Sequence, residues 1–266
     1  MTNGSPASGS IRFDRVADDY DRTRALSPES MGAVTSLLAP ELRGRGRCLE
    51  IGVGTGRIAL PLAGAGVPMA GADLSRPMLA KLVEKAGGRP PFPLALADAT
   101  ALPFADRAFG AGLACHVLHL IPAWRGAVDE LVRVIRPGGP LLVDRGGWQR
   151  LLREIEARFG EETGGRVQRP GLDHTDTSMA ELDAHLSIVG ARVRLLPPIS
   201  ERSPLTLSSY IDQLEQNVFS WTWSLDDDTR IGAARAVRGW ASDRFGPLDV
   251  PRHIETEIRW RAYDLP

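Results

Sequence analysis

The chain has 266 residues, of which 43% are hydrophobic and 24% are charged, and its formal net charge is −1. These proportions are typical of a globular protein with a full core, and they exclude a mainly disordered chain. No basic run indicates a nucleic-acid partner, and no stretch of about eighteen apolar residues predicts a membrane-spanning helix. Cys48 and Cys115 fall in two separate apolar segments, which favours buried, reduced thiols over a disulfide or a metal site.

The N-terminal residues precede the alternating strands and helices of the chain. Residues 1–10 are small and polar and predict a disordered tail, without the apolar run of a signal peptide. Residues 11–46 carry two helical patterns, the second with Pro28 near its start. From residue 47 the chain alternates between apolar strands and helices, which is typical of a parallel sheet covered on both faces. We predict strands over 47–52, 68–73, 92–97, 109–115 and 140–145, and helices over 56–65, 76–87 and 123–135.

The C-terminal half, residues 146–266, has a more helical pattern. It predicts helices over 148–159, 179–189, 208–219 and 226–245, and strands over 191–196 and 254–263. The segment 197–251 lies between the last two strands and is interpreted as a helical lid. Residues 11–266 are therefore predicted as a single α/β domain: a Rossmann-like, doubly wound, mostly parallel sheet of seven strands with a helical lid inserted before the last strand.

The first strand runs directly into a glycine-rich turn, Gly52-Val53-Gly54-Thr55-Gly56. Glycines allow the backbone to turn sharply and a ligand to lie against it. A helix that begins at this turn would point its unpaired N–H groups at a negatively charged group. The turn favours a nucleotide-like ligand, but residues 54–59 also fit the pattern of dinucleotide-binding enzymes.

Acidic residues follow the second and third strands, at the same predicted rim of the sheet. Asp73 comes about twenty residues after the glycines, where an acid accepts hydrogen bonds from ribose hydroxyls. The alternative is a turn aspartate next to Ser75, the predicted N-cap of the following helix. Asp98 can accept a hydrogen bond from an exocyclic amine such as that of adenine, although an ordinary loop residue fits the same position.

Together these motifs resemble the class I S-adenosylmethionine-dependent methyltransferases, and in particular their small-molecule branch, type 11. The resemblance covers residues 11 to about 145 and rests on the segment 50–56, on Asp73, and on the segments 98–104, 116–119 and 133–139. It implies S-adenosylmethionine as the cofactor, residues 47–145 as the cofactor-binding core, and methyl transfer as the reaction. A dinucleotide enzyme would also need a pyrophosphate-sized gap, which nothing in the sequence calls for.

The resemblance also implies roles for single residues. They form four groups: a turn around the methionine part with the acid that orders it, an acid for the ribose, a wall around the adenine, and an N-terminal cover. The turn consists of Gly52, Gly54 and Gly56, with Glu50 as the acid that orders it, and Asp73 is the acid for the ribose. The adenine wall consists of Leu74, Met78, Asp98 and Ala99, and the cover is Tyr20 assisted by Arg24. The backbone near His116 is expected to face the methionine amino group.

Methyl transfer needs a base only where the acceptor must lose a proton. His116 and His119 follow the fourth strand and are the candidates, with packing or cofactor contact as the alternative for each. As a metal pair they lack neighbouring ligands, so no metal is predicted. On the substrate side, candidate pocket residues for an apolar, aromatic or anionic molecule are Arg145, Trp148, Trp221 and Trp223, although the tryptophans also fit a core.

We predict a cytoplasmic S-adenosylmethionine-dependent methyltransferase that acts on a small molecule, with no nucleic-acid or membrane partner. One alternative is a protein of the same fold that binds S-adenosylmethionine without methylating, in a binding or rearrangement role. Another is a methyltransferase for RNA or protein, against which the missing basic patch argues.

Overall fold

The computed structural model describes residues 9–14, 17, 20–21, 26–148, 150–173 and 175–266. Its strands are β1 Cys48–Ile51, β2 Met69–Asp73, β3 Leu94–Leu96, β4 Ala111–Ala114, β5 Pro140–Trp148, β6 Arg192–Leu195, β7 Ile199–Leu205 and β8 Arg252–Asp264. Its helices in the described segments are α1 Pro28–Leu42, α2 Ala59–Gly64, α3 Arg76–Lys85, α4 Trp124–Val134, α5 Arg150–Glu162, α6 Asp176–Ile188, α7 Leu207–Glu215 and α8 Asp227–Phe245. Short 3-10 turns span Leu118–Leu120 and Ser220–Thr222.

The strands form one sheet in the order β3-β2-β1-β4-β5-β8-β6, and β7 pairs with β8. β1 is parallel to β2 and β4, β3 is parallel to β2, and β5 is parallel to β4, whereas β6 runs antiparallel to β8. The predicted α/β class with a mostly parallel sheet is therefore confirmed.

The predicted number of seven strands is wrong, because the sheet has eight. The additional strand, β7, lies inside the segment that was predicted as a helical lid. Its more buried positions include Glu201 and Ser203, and Pro204 stands near its end. The strand therefore lacks the apolar alternation by which a strand is recognised in a sequence.

The pleat of β1 explains how helices cover both faces of the sheet. Leu49 and Ile51 belong to one buried cluster, which includes residues of α4, and Cys48 belongs to another, which includes residues of α1. Successive side chains of a strand point to opposite faces, so Glu50 shares the side of Cys48. The register pairs Ile51 with both Ala72 and Ala114. The segments that follow these strands therefore begin at one rim of the sheet.

The helix after the glycine turn is shorter than predicted. The prediction begins it at residue 56, but α2 begins at Ala59 and has 6 residues. Gly52, Gly54 and Gly56 have φ angles of 61°, 54° and 77°, which are incompatible with a right-handed helix. The predicted start of the helix is therefore three residues too early, although the N–H of Leu60 already donates to the carbonyl of Gly56 at 2.9 Å. That its N–H groups face a bound anion stays a prediction.

The chain divides into two compact units. The first takes the residues up to Gly146 together with Pro170–Ile199 and Ile258–Pro266, and the second takes Gly147–Arg169 and Ser200–Glu257. The second unit has its own core, in which α5, α7 and α8 meet around Phe159, Ile211 and Val237. A lid over 197–251 stays a prediction. None of the described helices is both long and apolar enough to cross a bilayer.

Candidate active site

A pocket opens in the first unit at the rim where β1, β2, β3 and β4 end. Its walls come from the glycine turn, from the residues after β2 and β3, from the segment after β4, and from the N-terminal residues. The lining residues are Ser10, Ile11, Phe13, Tyr20, Gly52, Gly54, Ala72, Asp73, Leu74, Met78, Ala97, Asp98, Ala99, His116, Val117, Leu120 and Ile121. Ser10 was predicted to belong to a disordered tail, but it is buried here.

The glycine turn is held close to its neighbours on both sides. A Cβ atom on Gly52 would lie 2.4 Å from Cγ2 of Val117, and one on Gly56 would lie 2.9 Å from Cγ atoms of Leu60 and Leu82. Gly52 and Gly54 line the pocket, whereas Gly56 is packed behind it against these leucines. Close approach of the backbone, as well as positive φ, therefore requires glycine at these positions.

Asp73 joins the turn to the helix that follows β2. One of its carboxylate oxygens accepts from the N–H of Gly54 at 2.7 Å, and the other accepts from the N–H of Ser75 at 2.8 Å. Burial raises the pKa of Asp73, and the hydrogen bonds from Ser75, Gly54 and Leu74 oppose that rise. Three N–H donors leave one of the four lone-pair sites of the carboxylate for a ligand hydroxyl. The turn role and the pocket role, which the sequence left as alternatives, are thus compatible in this residue.

The wall expected around an adenine ring is assembled from two elements. Ser75 caps α3 by accepting from the N–H of Met78 at 3.3 Å, as predicted, and this fixes Met78 beside Leu74 on the pocket wall. The second element is the segment after β3, in which Asp98 accepts from the N–H and the hydroxyl of Thr100 at 2.9 and 2.8 Å. These bonds hold the turn after β3, which brings Asp98 and Ala99 to the pocket.

Glu50 lies beneath the turn and is only 2% exposed. It accepts a hydrogen bond from the backbone of Ala59, so it connects β1 to the first residue of α2. Burial raises its pKa well above the ordinary range, and the nearby Arg57 opposes the rise. The geometry agrees with a residue that orders the turn from below, since Glu50 is not part of the pocket lining.

His116 is the histidine that reaches the pocket. Its φ of 50° is unusual for a residue with a side chain. Asp144, which is buried near the middle of β5, accepts from the His116 backbone N–H at 2.7 Å and lies 3.2 Å from its Nε2. His119 is not among the lining residues, and its carbonyl accepts from the N–H of Gly171. The sequence reading missed this role of Asp144.

Among the described residues, one triplet of side chains lies close enough for metal binding, namely Cys115, His116 and Asp144. Their ligand atoms lie within 4.8 Å of one another. Burial raises the pKa of the Cys115 thiol, Asp144 adds to the rise, and Arg57 donates to its Sγ at 3.7 Å. Arg57 opposes the rise. A thiol binds a metal as the thiolate, and the burial of Cys115 disfavours that form.

The N-terminal residues form the remaining wall. The N–H of Ile11 donates to the carbonyl of Leu120 at 3.0 Å, and the rings of Phe13 and Tyr20 meet edge to face at 5.7 Å. This agrees with Tyr20 as a cover residue. Arg24, its expected helper, lies outside the described residues.

Two of the candidate substrate residues, Trp221 and Trp223, pack within the second unit. Trp221 stacks on Phe219 at 5.8 Å inside the second unit, and Trp223 Nε1 donates to the carbonyl of Asn217. Neither tryptophan lines the pocket. The side chains of Arg145 and Trp148 lie outside the described part of the chain.

Comparison with known proteins gives the family. Residues 49–143 match the family model described as a methyltransferase domain. A phosphatidylethanolamine N-methyltransferase from Cereibacter sphaeroides is 39% identical over 50% of this chain and 68% of that protein. The chain belongs to the class I S-adenosylmethionine-dependent methyltransferases. It is therefore an enzyme of that family, and the predicted resemblance is confirmed.

Two further relatives share the name demethylmenaquinone methyltransferase. A demethylmenaquinone methyltransferase from Clavibacter sepedonicus is 35% identical, over 52% of this chain and 58% of that protein. Another, from Renibacterium salmoninarum, is 28% identical over 92% of this chain and 88% of its own length. The YcgJ protein of Bacillus subtilis shares the fold, with a TM-score of 0.59, 19% identity and coverage of 90% of this chain and 99% of its own.

Proposed function

We propose that this methyltransferase binds S-adenosylmethionine in the pocket at the strand ends and transfers its methyl group to a small-molecule acceptor. The observation that carries the proposal is the meeting of Asp73, Asp98, Leu74 and Met78 on one pocket. Carboxylates suit the ribose hydroxyls and the adenine amine, and the apolar side chains suit the adenine faces.

The chain's own residues have three tasks in this reaction. The cofactor, when bound, supplies a methyl group on a positively charged sulfur, so the protein chiefly aligns and desolvates the reactants. The backbone of the glycine turn and of His116 faces the end of the pocket next to β1 and β4. The N-terminal wall of Ile11, Phe13 and Tyr20 excludes water from it.

His116 is proposed as the group that accepts a proton from the acceptor molecule. Asp144 accepts from its backbone N–H and lies 3.2 Å from its Nε2, so it holds the imidazole ring in place at the pocket wall. Asp144 acts on the acceptor only through His116 and is therefore a positioning residue. His119 is no longer proposed for this role, because it is absent from the pocket lining.

The proposed base is tested by the pH dependence of turnover. Asp144→Asn keeps the size of the side chain but removes the negative charge beside His116. We expect about a ten- to hundred-fold loss of kcat, within the range of general-base effects, and an acidic limb of the pH–rate profile that moves to lower pH. His116→Gln should abolish that limb. Unchanged profiles in both variants would contradict the role of His116.

The acceptor is proposed as a small molecule because the relatives with named substrates act on demethylmenaquinone and phosphatidylethanolamine. Demethylmenaquinone is the first compound to try, since the relative that aligns along 92% of this chain is named for it. The test is a panel that also contains phosphatidylethanolamine vesicles and small amines. S-adenosylhomocysteine and a product heavier by one CH₂ are measured together by mass spectrometry.

Formation of both products supports the proposal. Binding of S-adenosylmethionine without either product, across the panel and in a cell extract with labelled cofactor, would contradict it.

We also propose that the protein works in the cytoplasm, since Cys48 and Cys115 are both buried free thiols, as is usual in a reducing compartment. Cell fractionation tests this location.

A further inference from the structure

Three polar residues connect separate parts of the chain directly behind the pocket. Asp21 follows Tyr20 in the N-terminal segment, Thr55 lies within the glycine turn, and Lys85 is the last residue of α3. The Thr55 hydroxyl donates to Asp21 Oδ1 at 2.6 Å, and Lys85 Nζ donates to Asp21 Oδ2 at 2.8 Å. Lys85 Nζ also lies 3.4 Å from the Thr55 hydroxyl oxygen.

We propose that Asp21, Thr55 and Lys85 form a latch that holds Tyr20 over bound S-adenosylmethionine and slows release of the cofactor. These three are positioning residues, because none of them lines the pocket. The proposal rests on the proposed binding of the cofactor in that pocket, and it adds a role for residues that the sequence motifs did not single out.

The burial of Thr55 makes its hydroxyl depend on Asp21. Thr55 is 1% exposed, so its hydroxyl has little access to water and depends on a protein partner. Asp21 supplies a charged acceptor, and a charge-assisted hydrogen bond is stronger than a neutral one. Separation of Asp21 from Thr55 would leave this hydroxyl buried without that acceptor, which favours the contact seen here.

Lys85 completes the charge balance of the latch. Asp21 and Lys85 are 42% and 37% exposed at their side chains, so their ion pair alone contributes little. Its geometry nevertheless joins the N-terminal segment to α3, the helix that carries Met78 on the pocket wall. Tyr20 is the residue directly before Asp21, so a fixed Asp21 restricts Tyr20 to the pocket side.

Latch closure and cofactor binding are expected to be coupled, and this coupling can be measured. If latch closure strengthens cofactor binding, cofactor binding must strengthen latch closure by the same factor. A carbodiimide joins a lysine to a carboxylate that it touches, so the yield of the Lys85–Asp21 amide reports closure. The chain has only two lysines, and the other, Lys81, pairs with Glu84 on its own helix at 2.9 Å. The Lys81–Glu84 amide is therefore an internal control.

The first test measures the Kd for S-adenosylmethionine by calorimetry in four proteins. We expect Asp21→Ala to raise the Kd about ten-fold, because it leaves Thr55 without its charged acceptor. Lys85→Met should raise it about two- to five-fold, as expected for a half-exposed ion pair. Lys81→Met, one turn away on α3, should leave it unchanged. Thermal unfolding of the variants without cofactor checks that each is folded, so that a changed Kd reports binding.

The second test measures the cross-links by peptide mass spectrometry, with and without S-adenosylmethionine. The proposal expects the cofactor to raise the Lys85–Asp21 yield and to leave the Lys81–Glu84 yield unchanged. Equal Lys85–Asp21 yields in both conditions, or equal Kd values for Lys85→Met and Lys81→Met, would overturn the latch. If the wild-type protein binds no S-adenosylmethionine, the proposed function fails too. If it binds and Asp73→Asn weakens binding while Asp21→Ala does not, the latch alone fails.

Discussion

The glycine turn permits a prediction whose size follows from the geometry. In Gly52→Ala the new Cβ would lie 2.4 Å from Cγ2 and 2.7 Å from Cβ of Val117, and the residue would have to keep a φ of 61°. A left-handed φ costs a residue with a side chain about 1–3 kcal/mol, and overpacking costs about 1–3 kcal/mol more. We expect the free energy of unfolding, measured in urea, to fall by about 2–6 kcal/mol.

Two further variants separate the causes of that loss. Val117→Ala in the Gly52→Ala background should restore only part of the stability, because its Cβ stays 2.7 Å from the new atom. Gly64→Ala is the matched control, since Gly64 lies in α2 with no neighbouring heavy atom within 4 Å of the added Cβ. It should leave stability unchanged or raise it by up to about 1 kcal/mol. A Gly52→Ala protein within about 1 kcal/mol of wild type would refute the reasoning.

Two other predictions concern the supports of the pocket. Ser75→Ala removes the cap of α3 and should lower the free energy of unfolding by about 1 kcal/mol; an unchanged urea midpoint would count against the cap. Glu50→Gln tests the raised pKa of Glu50, whose main cause is burial. Because the folded protein binds this proton more tightly, the stability from Glu50 is complete below its unfolded pKa of about 4.3 and declines as the pH rises toward the folded value. The Gln variant should lack that decline, and parallel stability curves for the two proteins would contradict it.

Residues whose roles follow from the local sequence could be predicted. Asp73 and Asp98 each end or follow a recognisable apolar strand, so the rule that parallel strands end at one rim was enough to bring them together. Ser75 was predictable as a cap for the same local reason. The end of α4 shows the limit of such rules. The helix is predicted to include residue 135, but it ends at Val134, since Ile135 is extended and forms a bridge with Phe109.

Residues whose roles depend on contacts between distant segments could not be predicted. Asp144 acquires its role because β4 and β5 are neighbours, which places it next to His116. Lys85 reaches Asp21 across 64 positions of the chain. Trp221 looked suited to a pocket because it is aromatic, but its environment is the core of the second unit. Residue type and spacing carry no information on such partners, which follow from the packing of whole elements.

The most direct test of the central claim is calorimetric titration of S-adenosylmethionine into wild-type protein, Asp73→Asn and the control Asp106→Asn. Asp106 is 73% exposed at its side chain and lies outside the pocket. Loss of a charged acceptor for a ribose hydroxyl should raise the Kd about a hundred-fold in Asp73→Asn, while Asp106→Asn binds as wild type does. Absence of binding to the wild-type protein, or equal affinity for all three proteins, would contradict the assignment of this pocket to the cofactor.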